Sequence, residues 1–162
     1  MEGIILNEGT EYVTYMKPIF ETIGEVVVRS LNWRLTYVVT GGYLTEEYSF
    51  GDCLEVWISG DELWAEVVKY PDMQWIWGLL QGFSKEITFE QSQTHGLVDI
   101  MMDERIWTNP VSMRHPDAEI EIEAFDSTLS IVIAKDDSVL SRLKERYPRY
   151  QLLSEVNEGL GD

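Results

Sequence analysis

Cysteine, histidine and cationic side chains are all scarce in this sequence. The single cysteine, Cys53, rules out an internal disulfide. It sits in the run Cys53-Leu54-Glu55-Val56-Trp57-Ile58, where a small buried hydrophobe is the expected role. His95 and His115 are the two histidines, and no HxH, HExxH or CxxC spacing occurs. A zinc site needs three or four nitrogen or sulfur ligands, so no metal is expected. Walker A, GxGxxG and GxSxG patterns are missing too, so no cofactor is expected and no catalytic residue is assigned. No apolar run approaches the roughly 18 residues that span a bilayer. Met1-Glu2-Gly3-Ile4 lacks the basic stretch of a signal peptide, which gives a cytoplasmic location as the expectation.

Acidic residues, by contrast, are abundant. The 162 residues carry a formal net charge of −17 while 44% are hydrophobic and 12% aromatic. That apolar content is too high for a disordered chain and suits one domain over residues 1–162. The charge is not a tail: residues 1–134 hold 23 Asp or Glu against 7 Lys or Arg, while residues 135–149 hold 5 basic against 3 acidic. Such a surface repels nucleic acid and anionic lipid, so neither nucleic acid nor a membrane is an expected partner. It favours a basic protein.

Local pattern predicts an α+β domain: a mostly antiparallel sheet with two or three helices packed on one side. Gly3-Ile4-Ile5-Leu6 reads as a first strand and Asn7-Glu8-Gly9-Thr10 as a turn and helix cap. Tyr12, Met16, Ile19, Phe20 and Ile23 recur at helical spacing, with Pro18 either kinking that helix or marking its start near Lys17. Val26-Val27-Val28, the run from Trp33 through Val39 and the Cys53 run read as strands, and Trp75-Ile76-Trp77-Gly78-Leu79-Leu80 as a central strand or a buried helix, its short length and the glycines at 78 and 82 favouring strand. Gly41-Gly42 signals a hairpin turn before Tyr43-Leu44, and Ser59 with Glu62 has capping-box spacing for a helix over 60–69. Ile87-Thr88-Phe89 and Leu97-Val98-Asp99-Ile100 read as strands in a stretch, residues 84–116, of little periodicity. A hairpin followed by a helix over 118–147 closes the pattern, with Asp136 or Asp137 capping and Arg142, Lys144, Arg146 and Arg149 complementing the helix dipole.

Two constellations stand out. Glu119, Glu121 and Glu123 alternate on a strand and so share a face, with Thr128, Ser130 and Val132 as expected cross-strand neighbours. The ladder reads as a solvated exterior or as a docking face for a cationic partner. Most of the six tryptophans lie in apolar runs and suit core packing, but Trp107 follows Asp103-Glu104-Arg105-Ile106 in a polar context. An aromatic anchor beside Asp103 and Glu104 has the composition of a binding hot spot. The candidate partner-binding set is therefore Trp107, Asp103, Glu104, Glu119, Glu121 and Glu123. Two other readings stay open: Trp75 and Trp77 lining a small-molecule or carbohydrate pocket, or a small enzyme's pocket, with a carboxylate pair, and rows of carboxylates mimicking nucleic acid phosphates.

Ser59-Gly60-Asp61-Glu62-Leu63-Trp64, Trp75-Ile76-Trp77-Gly78 and the ending from Phe125-Asp126-Ser127 to Tyr147-Pro148 look like segments of small proteins of Gram-positive bacteria. In composition the chain resembles the immunity proteins of bacterial toxin systems. The resemblance implies a non-enzymatic inhibitor that neutralises a basic toxin by occluding it, and it assigns no site residue.

Overall fold

Alternating side chains sort one antiparallel sheet into two faces that are covered by different means. The computed structural model describes residues 1–9, 12–41 and 53–161, with Cys53 by its backbone alone. The strands are β1 (Gly3–Leu6), β2 (Leu31–Gly41), β3 (Cys53–Ser59), β4 (Gln74–Ser84), β5 (Ala118–Phe125), β6 (Leu129–Ala134) and β7 (Gln151–Leu152). Their order is β3-β2-β4-β5-β6-β1-β7, and each neighbouring pair is antiparallel. The α+β class and the antiparallel sheet are as the sequence predicts. The Gly41-Gly42 turn, Tyr43-Leu44, the Thr10 cap and burial of the Cys53 thiol lie outside the described residues.

On the first face α1 (Met16–Ile23), α2 (Glu25–Ser30), α3 (Gly60–Lys69) and α5 (Asp137–Arg146) bury Phe20, Val28, Leu63 and Leu143 against Trp33, Leu80 and Ile122. α1 starts after Tyr15, which puts Pro18 in the first turn, where a missing N–H costs nothing. The predicted capping box forms on α3: Ser59 accepts from the Glu62 N–H, and the Glu62 carboxylate accepts from the Ser59 N–H. Asp136 caps α5, whose last turn holds Lys144 and Arg146.

The second face carries α4 (Phe89–Ser92), a 3₁₀ turn (Glu104–Trp107), α6 (Leu153–Leu160) and the irregular chain between β4 and β5. Its apolar part joins Ile5, Ile131 and Ile133 to Ile106, Val111 and Leu153. β7 and α6 follow the last predicted helix and were not anticipated by the periodicity.

Four expectations are corrected. Val26-Val27-Val28 is helical: Val26 is 83% exposed and Val28 fully buried, whereas residues two apart on a strand would share a face. The helix penalty of a valine is some tenths of a kcal/mol, and burying Val28 returns about 1.5 kcal/mol or more. Residues 87–89 and 97–100 form no strand: Thr88 caps α4, which Phe89 opens, and 97–100 run irregularly into a turn. In the terminal hairpin Asp126 and Ser127 turn at φ 47° and 61°, so Ile122 faces Val132 and Glu121 faces Ile133. That register is an odd number of residues from the predicted one, which moves the neighbours to the opposite face. Finally, β4 has one extra residue at Ile76 between the positions facing Val39 and Thr40. Trp75 therefore packs with the helices, while Trp77 lies on the second face against Phe125 at 4.8 Å between ring centroids. The two cannot line one pocket.

Gly60 marks the closest approach of α2 and α3. A Cβ there would stand 2.1 Å from the Val28 carbonyl oxygen and 2.6 Å from that of Leu31, both backbone atoms that cannot move aside. Gly60→Ala should cost about 3 kcal/mol. Gly159, in α6, has open space around its Cβ position, and Gly159→Ala should gain about 0.5 kcal/mol. Urea unfolding of both variants checks the opposite signs.

Candidate functional site

Register places a polar strip across the middle of the second face. Arg34 on β2 faces Gln81 on β4, which faces Glu121 on β5, and the next row places Thr36, Leu79 and Glu123 in line. Glu121 is 2% exposed and Glu123 1%, so the glutamate ladder is not a solvated exterior. Only Glu119 reaches the surface, at 3.4 Å from Lys135. Docking onto Glu121 or Glu123 is closed to a partner.

These buried carboxylates instead hold down the irregular chain above them. Glu121 accepts from the Gln81 side-chain amide at 2.8 Å and from the backbone N–H groups of Arg114 and His115 at 3.0 Å each. Arg114, itself buried, pairs with Glu123, donates from Nε to Asp103 at 2.7 Å and lies 3.8 Å from Glu121. Burial opposes the charge on Arg114, but Glu123 and Glu121 outweigh it and raise its pKa. Burial wins at Glu123, which is pushed up; its Oε1 has no hydrogen-bond partner among the described residues. Asp103 goes the other way. Burial would raise it, yet hydrogen bonds from Arg105 and Arg114 hold its carboxyl below the usual range. Arg34 completes the strip with bonds to Glu55 at 2.7 Å and to the carbonyls of Ser92 at 2.6 Å and Gly96 at 2.9 Å.

His115 is buried beside this strip with its tautomer fixed. The Asp117 N–H donates to Nδ1 at 3.1 Å, which leaves Nε2–H for the Gln91 carbonyl at 3.3 Å and the Thr94 hydroxyl at 3.4 Å. Burial lowers its pKa against the Gln91 bond, and His95, with ring centroids 4.6 Å apart, lowers it further.

Asp103 also caps the 3₁₀ turn by accepting from the Arg105 N–H, and so sets where Trp107 lies. The Trp107 ring, half-buried, stands edge-on to Phe125 at 5.5 Å and 90°, and Phe125 is backed by Trp77. Two concavities open beside it. One, of about 120 Å³, is bounded by Met101, Met102, Asp103 and Glu104; the other, of about 440 Å³, by Ile5, Leu129, Val156 and Leu160; Trp107 and Phe125 border both. Of the predicted residues, the structure thus brings Trp107, Asp103 and Glu104 together at one surface. Asp103 is committed to two arginines, leaving Glu104 exposed. Arg114 and Gln81 were missed, although a lone arginine between two acidic stretches was a readable signal. Among the described residues no group of three His, Cys, Asp or Glu side chains is arranged to hold a metal ion.

No family model, no curated protein and no solved structure matches this chain.

Arg114→Met leaves Glu121 and Glu123 without their cation and Asp103 with Arg105 alone, and should cost about 3–5 kcal/mol; adding Glu123→Leu should recover part of that loss in a double-mutant cycle. His115 gives a pH dependence. Its folded pKa lies below the ordinary 6.5, so the unfolded chain binds more protons, and stability present above pH 6.5 falls as pH drops through 6.5 towards the folded value. His95, Asp117 and Arg34 are the ionisable groups acting on it, and the carboxylate contribution of Asp103 is lost only below 3.8. Glu123, pushed up by burial, contributes in the opposite sense to parent and variant alike, so between pH 7.5 and 5.5 the urea midpoint should fall more for the parent than for His115→Gln; parallel curves would refute the assignment.

Proposed function

We propose that this protein is a non-enzymatic binding protein that captures a basic polypeptide on the surface around Trp107, acting as an immunity protein that neutralises a basic toxin by occlusion. The observation that carries the reading is the Trp107 ring. It is fixed edge-on against Phe125, open to concave surface on two sides, and bordered by the exposed carboxylate of Glu104. Exposed Met101 (53%), Met102 (79%) and Leu160 (63%) extend this surface with apolar area that a solitary domain gains nothing by displaying. The net charge of −17 supplies the second half of the mechanism, because a field of one sign draws a cationic partner in before any contact forms. Encounter is then electrostatic, and retention depends on desolvating the aromatic anchor. The resemblance in composition to immunity proteins points to a toxin as the basic partner.

Immobilised protein should retain a basic polypeptide from a lysate of its source cells. Trp107→Ala should weaken that complex by roughly 30-fold or more, the scale of a hot-spot truncation. Raising salt from about 0.05 M to 0.5 M should slow association of the purified pair severalfold while leaving dissociation nearly unchanged. Retention that ignores both Trp107 and salt would overturn the reading.

A further inference from the structure

Three concavities share walls in sequence, two on the second face and the third at edge strand β7, where Tyr150 and Leu152 pack towards the first-face core. Trp107 and Phe125 border both the 120 Å³ and the 440 Å³ hollows, and Gln151 and Val156 border both the 440 Å³ hollow and a third, of about 600 Å³, that extends to Pro148 and Tyr150. Each hollow shares two bordering residues with the next, so the three lie in a row. Its chemistry changes along its length. At the first end the methionines and Trp107 line the hollow, and Glu104 is the free acceptor, since Asp103 already receives Arg105 and Arg114. The centre is apolar, with Gln151 as its polar side chain. The third part is lined mainly by polar atoms and includes the carboxylate of Glu155; Lys144 lies over the Tyr150 ring, and Arg149 is paired with Glu8.

We infer that this row of hollows acts as one trough for a linear segment of the basic partner: one long cationic side chain seated against Glu104 and Trp107, an apolar stretch beyond it, and a polar stretch at the Tyr150 end. The inference rests on Trp107 being the docking anchor and goes further in giving the occupant a polarity. A thioether and aromatic wall suits the alkyl stem of lysine or arginine, and an indole face attracts the cation itself. The central walls come from four adjacent strands, β5 (Phe125), β6 (Leu129), β1 (Ile5) and β7 (Gln151). At about 4.8 Å between strands that is a crossing of roughly 14 Å, which about four extended residues would fill. Because the surface is acidic overall, any basic peptide would be attracted to it; the pattern of charge, and not its amount, is the discriminating property.

The test uses the full chain and three synthetic peptides, blocked at both ends and identical in composition. The first is Arg-Leu-Ile-Phe-Leu-Ser-Asn-Ser, the second its reversed sequence, since chain direction is not fixed by the walls, and the third has the arginine moved between the two central apolar residues. At 0.15 M salt one of the end-charged peptides should bind at least tenfold tighter than the centre-charged isomer. In amide correlation spectra it should shift both the Trp107 indole N–H, assigned with Trp107→Phe, and the Gln151 side-chain amide. Leu160→Asp, a change at an exposed position that leaves the fold intact, should weaken that peptide at least fivefold. Equal binding of the isomers, shifts confined to the Trp107 end, or no saturable binding would overturn the trough. So would a concentration-dependent dimer abolished by Leu160→Asp, which would make this face a contact between copies. If the isolated partner still depends on Trp107 while the peptides fail, only the trough falls; if the partner ignores Trp107, the parent reading falls with it.

Discussion

The buried contact of Arg114 with Glu121, Glu123 and Asp103 is the constraint on which the second face depends. A chain of some thirty residues with little regular structure lies over a sheet there, and its backbone N–H and carbonyl groups need partners that a helix or strand would have supplied internally. The sheet provides them through side chains. Glu121 accepts from two consecutive backbone N–H groups, while Arg34 donates to two backbone carbonyls. Arg114 then offsets the carboxylates so gathered. With Arg105 also on Asp103, two cations face three acids, and burial raises the carboxyl of Glu123, whose Oε1 has no hydrogen-bond partner among the described residues. Buried ion pairs contribute little net stability, since desolvation consumes most of the attraction. Their value here is in fixing one conformation for a segment with few apolar contacts of its own.

That fixed conformation reaches the candidate site through Asp103. One carboxylate oxygen receives Arg114 and the other receives Arg105 and the N–H that opens the 3₁₀ turn, so the turn is tied to the sheet by a chain of hydrogen bonds only two side chains long. Trp107 stands at the end of the turn, and Phe125 and Trp77 hold its ring from the sheet side. An anchor ordered in advance loses less entropy on binding than one that must be ordered by its partner. The same carboxylates that look from the sequence like a docking face thus serve the site from beneath it.

How far the sequence discloses this depends on what each residue's environment draws on. The capping box at Ser59 and Glu62, the helix after Asp136 and the terminal hairpin rest on contacts within a few residues, and they are legible. Val26-Val27-Val28 is not, because its helix is decided by Val28 entering a distant core. The glutamate ladder misleads for a related reason. Alternation shows that Glu119, Glu121 and Glu123 share a face but cannot show what covers it, and the cover is an aperiodic segment whose own pattern gives no sign of burial. Trp75 and Trp77 were separated by a single bulge residue, a feature set by strand pairing and invisible in either tryptophan's neighbours. At the site itself the grouping of Trp107 with Asp103 and Glu104 was readable, and their division into a held carboxylate and a free one was not.

In the capture proposed for this protein, acidity and apolar surface act at different stages. A field from charges spread over the body is screened beyond about 10 Å in 0.1 M salt, so it raises the chance of encounter and adds little once the partner has docked. It also cannot choose among cationic partners, since every basic surface feels it. Discrimination has to come from short-range contacts, and Trp107, Phe125, Leu129 and Val156 bring four apolar side chains into one hollow. A partner that brings charge but no apolar segment gains the encounter without the desolvation, and leaves quickly. One that brings both keeps the anchor dry, and in that low-dielectric setting its cation meets Glu104 more strongly than it would in open water. On that proposal the order of the two along the partner's chain matters as much as their presence, because the walls at Phe125, Leu129, Ile5 and Gln151 follow the order of four adjacent strands.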